Sequence, residues 1–145
     1  MDAYSKALQK LGSPSPGKAP VKADAMGELA SLLFHSRTQA HVFHLRTTSY
    51  AMHKALNDYY DAIIGIADGI IEAYQGMNGL VTFKSEVSID NNASTDNVLK
   101  YFDMLCTEVD RLRKESSLSA SFLQNEIDNV CKLLYETKYK IKILK

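Results

Sequence analysis

Apolar residues recur three or four positions apart in four separate stretches of this chain, and that spacing constrains the fold more than any other feature. Leu29, Leu33, Ala40 and Phe43 form the first stripe; Met52, Leu56, Tyr59, Ile63, Ala67, Ile70 and Tyr74 form the second. Val98, Phe102, Leu105, Val109 and Leu112 form the third, and Leu123, Ile127, Val130 and Leu134 the fourth. A period near 3.6 puts each stripe on one side of a helix. The spacing predicts helices over about 25–45, 50–75, 95–114 and 119–138. Arg46-Thr47-Thr48-Ser49 reads as a break with Ser49 as N-cap, and Ser94 or Thr95 caps the third helix. Gly76 and Gly79 end the second helix, because glycine takes the left-handed C′ conformation at little cost.

The connections between these helices are short, long and short. A long second connection suits an all-α, four-helix bundle in up-down-down-up order, with residues 77–94 crossing over the long axis. Leu80–Ile89 alternates partly like a strand, and Asp90–Asp96 reads as loop. Residues 1–24, rich in Pro, Gly, Ser and Lys, are expected to form a flexible arm, followed by the bundle over 25–138. The basic tail 139–145 alternates lysine and apolar residues and is expected to be extended. Gly65 and Gly69 are unusual inside a helix and predict a close approach by a second helix.

A length of 145 residues fits one domain with a real core. With 17 basic and 17 acidic residues there is no global attraction to nucleic acid or anionic membrane. No run of apolar residues is long enough to span a bilayer and no apolar leader is seen, so a soluble protein in a reducing compartment is expected. Cys106 and Cys131 lie outside any metal-type spacing and are expected to be buried reduced thiols. The chain carries no nucleotide-binding glycine loop, Ser-His-Asp set or zinc motif.

Beside the apolar stripe of the second helix runs a polar line, His53, Asn57, Asp61, Ile64, Asp68 and Glu72. His53 precedes Asp68 by fifteen positions, and Asp68-Gly-Ile-Ile-Glu72 places two carboxylates one turn apart. Ala40-His-Val-Phe-His44 lies upstream. This pattern, over roughly residues 26–76, resembles Dps-type miniferritins and the small ferritin-like proteins encoded by tailed bacteriophages. The resemblance implies a ferritin-like bundle that dimerises or forms larger homo-oligomers, working in a bacterial host cytoplasm or in the virion. It further implies iron held between subunits, with His44 (or His41) and His53 from one copy and Asp68 and Glu72 from its mate.

The match departs from the family at Asn57, where an aspartate is usual, at Leu45 in place of tryptophan, and in the turn at Arg46-Thr47-Thr48, which lacks glycine. Asp61, one turn beyond Asn57, is the substitute carboxylate. A ferroxidase-like activity therefore rests on an incomplete ligand set, and no Glu-x-x-His pair exists to build the intrachain di-iron alternative. The competing reading is a metal-free structural or interaction protein of a phage particle, contacting other phage proteins. Lys138, Lys140, Lys142 and Lys145 suggest a third role, non-specific DNA or partner contact. Tyr50, Tyr59, Tyr60 and Tyr74 read as packing groups.

Overall fold

The computed structural model describes residues 3, 4, 6, 24–84 and 88–145. Four long helices carry the fold: α1 (Ala25–Arg46), α2 (Tyr50–Asn78), α3 (Thr95–Leu112) and α4 (Ser121–Ile143), with a single 3₁₀ turn, Ser116–Leu118, between the last two. Among the described residues there is no strand. Three helices begin on side-chain caps. Asp24 accepts from the Gly27 amide, Ser49 from Met52 and Ser94 from Asn97, each satisfying an amide the first turn leaves open. Gly79, at φ +88°, ends α2 in a conformation that disfavours any residue with a Cβ.

Long-range contacts give the helix directions. Gly27, near the start of α1, lies against Thr82, just past the end of α2. Arg111 at the end of α3 reaches Glu28 at the start of α1, and Tyr101 meets His35 midway. Lys138 reaches Asp103 of α3, and Lys140 reaches Asp58 of α2. Each neighbouring pair is therefore antiparallel, which makes the order up, down, down, up. The core between them contains Phe43, Leu56, Tyr59, Ile63, Phe102, Leu105, Leu123, Ile127 and Leu134, all essentially inaccessible to solvent.

α1 is the most fully buried helix. Its buried residues include Met26, Gly27, Leu29, Ala30, Leu32, Leu33, His35, Ser36, Gln39, Ala40, Phe43 and His44, which occupy most of its circumference. A helix covered on nearly every side has no reason to be strongly amphipathic. Its third side is covered by the crossover. Thr82 abuts Gly27, Phe83 stacks on Phe34, and the Lys84 amide donates to Ser31. Further along, Ser88 meets His35, Asp90 meets Gln39 and Asn91 meets Arg46. The described parts of the crossover, 82–84 and 88–91, thus pair in order with side chains along α1, and the strand-like alternation in the sequence corresponds to no sheet pairing among the described residues.

Two sequence expectations are corrected. The C-terminal segment is not extended, since α4 continues to Ile143. The core stripe of α4 carries on past Leu134 through buried Thr137 and Ile141, while Lys138 and Lys140 fold back onto acids of α3 and α2. Gly65 and Gly69 meet no second helix within the chain, because a Cβ built at either would touch nothing within 4 Å. The close-approach glycine is Gly27, where an added Cβ would lie 2.2 Å from the Thr82 carbonyl oxygen. The arm expected over 1–24 lies mostly outside the described residues. Within it Ala3, Tyr4 and Lys6 have helical backbone, and Tyr4 sits over His35 with ring centroids 5.2 Å apart.

Candidate functional site

The turn joining α1 to α2 brings His44 and His53 together. His44 Nδ1 donates to the His53 carbonyl at 2.7 Å, and His53 Nδ1 donates to the His44 carbonyl at 2.8 Å. The rings stack with centroids 3.6 Å apart and planes 20° from parallel. Carbonyl acceptors fix the proton on Nδ1 in both rings and leave each Nε2 with its lone pair. His41 stacks on Tyr60 at 4.3 Å, and the Tyr60 hydroxyl donates to Asn57, whose amide donates to Asp61. His41, His44, His53, Tyr60, Asn57 and Asp61 thus form one connected patch. Two stacked imidazoles lie in separate, near-parallel planes, so a single ion cannot lie in the plane of both rings and on both Nε2 lone pairs.

Asp68 and Glu72 lie elsewhere. Fifteen residues of helix carry Asp68 about 22 Å from His53 along α2, and Glu72 lies one turn further. Both are exposed. Among the described residues no three His, Cys, Asp or Glu side chains gather closely enough to hold a metal. The sequence line His53–Asp61–Asp68–Glu72 is therefore a row along a helix, not a cluster within one chain.

The lysines also separate. Lys138 is bound to Asp103 at 2.6 Å, with its charge 5.2 Å from the Tyr135 ring centroid, and Lys140 lies 3.4 Å from Asp58. Lys142 and Lys145 make no ion pair among the described residues. Cys106 and Cys131 are free and half-buried, and burial pushes both thiols up, away from the reactive thiolate.

Sequence reasoning assigned no role to His35, which proves to hold three elements together. The Ser88 carbonyl, 3.3 Å from Nε2, only accepts, so the proton sits on Nε2 and Nδ1 accepts from the Tyr101 hydroxyl at 2.8 Å. Burial, with Tyr59 and Tyr4 nearby, holds the Tyr101 phenol well above its ordinary pKa and keeps that donor protonated. One turn on, Gln39 mimics a backbone pair, donating to the Asp90 carbonyl at 2.7 Å and accepting from its amide at 2.8 Å. Ser36 donates to the Leu33 carbonyl and accepts from Tyr59, whose phenol burial raises far above the usual range. The signal for these roles was a polar residue at an otherwise apolar helix position.

Two clefts, about 340 and 390 Å³, flank Tyr4 and His35 on the α1–α3 side. Both sizes suit small ligands. In the first, Lys84 and Arg111 both pair with Glu28, and Arg111 also pairs with Glu108, so its charges are used on one another.

Comparison with known proteins points in one direction. The chain is 26% identical over 134 residues to a protein of Enterobacteria phage T4 described as "Uncharacterized 14.6 kDa protein in mobD-ri intergenic region", covering 92% of this chain and 98% of that one. No solved structure matches. A family described as a family of unknown function, DUF5856, matches residues 44–141. That match takes in the histidine clasp, all of α2 and α3 and nearly all of α4, and the chain belongs to the DUF5856 family.

Proposed function

We propose that this chain is a small phage protein that acts by self-association, a ferritin-like bundle serving as a structural or interaction unit rather than as a catalyst of group transfer. The observation that carries this reading is the pair Gly65 and Gly69. Each costs the helix roughly 1 kcal/mol relative to alanine, each is exposed, and no atom of the described residues lies where a Cβ would stand. Nothing among the described residues compensates for them, which supports a second backbone from another copy approaching closely there. The up-down-down-up order with one crossover supports the ferritin-like assignment. The similarity to a T4 protein supports the phage setting.

Light scattering on the purified chain over a range of concentrations tests this. The expected mass is a dimer or larger; a monomer at every concentration overturns the reading. Gly65→Ala with Gly69→Ala sharpens the test, because the substitutions should raise helix stability while lowering the assembled mass. A higher melting temperature at unchanged mass also overturns it.

A second reading keeps iron between subunits. It is supported by the free Nε2 of His44 and His53, whose Nδ1 protons are directed to carbonyls as metal-bound histidines usually are. The stacked geometry restricts this to one imidazole per ion from a given subunit, completed by Asp68 and Glu72 of a second copy, with Asp61 nearby. Anaerobic ferrous iron binding, counted per subunit beside His53→Ala and Glu72→Ala, separates the readings. One or two irons lost in both variants favours the metal; iron at background leaves the histidines as a structural clasp.

A further inference from the structure

We propose that the surface self-association uses is asymmetric: the tyrosine face of α4 on one copy docks into the glycine face of α2 on the next. This rests on the self-association reading above and specifies its geometry. Tyr135, Tyr139 and Ile143 stand 60%, 53% and 56% exposed at steps of four along α4 and form a ridge of three large groups, with the Lys138 charge lying over the Tyr135 ring. On α2, Gly65, Gly69 and Ala73 also step by four and are exposed, and the two glycines are empty notches. Four residues rise about 6 Å in either helix, so ridge and notches share one period and fit as ridges of one helix into the groove of another.

Charge selects this pairing over α2 against itself. Beside the notches stand Asp61, Asp68 and Glu72, none of them in an ion pair among the described residues. Two copies of that face would bring carboxylates together. Beside the ridge stand Lys142 and Lys145, also without an ion pair among the described residues, and Lys132, which only grazes Glu136 at 3.8 Å. The chain's own α4 cannot fill the notches, because it meets α2 through another side, where Lys140 reaches Asp58. The occupant is a second copy, and a single ridge-to-notch contact per pair of copies is heterologous, whereas two such contacts related by a twofold axis would close a dimer. The single contact closes as a ring or continues as a filament.

Two variants test it. Gly69→Leu fills a notch and leaves the ridge; Tyr135→Ala with Tyr139→Ala removes the ridge and leaves the notches. All three positions are exposed, and circular dichroism should show the bundle intact in each. Alone, each variant should associate at least tenfold more weakly than the wild type by light scattering. Mixed in equal amounts they should recover a heterodimer that grows no further, because one intact ridge meets one intact row of notches. If the tyrosine variant keeps the wild-type mass, or the mixture stays monomeric while Gly69→Leu abolishes assembly, the α4-to-α2 contact is wrong but self-association stands. If the wild type is itself monomeric, both fall together.

Discussion

α1 and α2 are joined by a tight turn and clasped by two histidines, yet they serve the molecule in opposite ways. α1 is buried almost all round, and its polar residues Ser36, His35 and Gln39 are spent on internal partners. α2 buries one stripe and offers an acidic, small-residue face to solvent. The contrast shows that a bundle with one crossover has a non-equivalent helix. The chain returning over the top covers one helix a third time, and that helix must then satisfy every polar group it carries. No buried side-chain polar atom among those described lacks a partner. What the protein can present to others is thereby left to α2, α4 and the outer side of α3.

Substitutions should divide along this contrast. The largest effect belongs to the core of α1, where Phe43→Ala should cost about 3–5 kcal/mol in chemical denaturation. A loss below about 1 kcal/mol would mean that α1 is not the core helix. Gly27→Ala should cost about 1–3 kcal/mol, because the new methyl meets the Thr82 carbonyl rather than a side chain that can move. Ser36→Ala should cost a similar 1–3 kcal/mol, since it strands the buried Tyr59 hydroxyl. Tyr59→Phe, which removes the donor instead, should cost less.

A smaller, pH-dependent effect sits at Glu28. Burial pushes its pKa up, but hydrogen bonds and charges from Lys84 and Arg111 outweigh that and hold it below its ordinary value. A depressed carboxylate stabilises the fold above its unfolded pKa, near about 4.3, and loses that contribution as pH falls through the lower folded value. Melting temperature should therefore drop on acidification below about pH 4, and Glu28→Gln should flatten that part of the profile. An unchanged profile would mean the Lys84–Glu28–Arg111 link does not anchor the crossover. The smallest effect belongs to the open face of α2, where Asp68→Asn should stay within about 0.5 kcal/mol of wild type in the monomer. A larger loss there would break the contrast between the two helices.

The polar line on α2 illustrates how far the sequence could be read. Spacing correctly put His53, Asp61, Asp68 and Glu72 on one helix, but spacing along a helix is also separation, and about 22 Å divides the first from the third. The resemblance named His44, or His41, beside His53 as a ligand, while the mutual grip of His44 and His53 on each other's carbonyls was not legible, because it depends on how two helix ends meet. Gly65 and Gly69 were read as a contact and Gly27 was passed over. Local sequence shows that a glycine is costly, but only packing shows whether something stands in its place.

Helical period, caps and connection lengths were enough to determine the helices, most of their starts and their up-down-down-up order. These depend on interactions within a few residues, and a chain with one long connection has few ways to bury four stripes. Tertiary structure alone decided that α4 reaches Ile143, that the described parts of the crossover pair with α1, and that His35, Ser36 and Gln39 hold the interior together. Each of those outcomes depends on a partner 23 to 66 residues away or more, and neighbouring positions in the sequence carry no record of that distance.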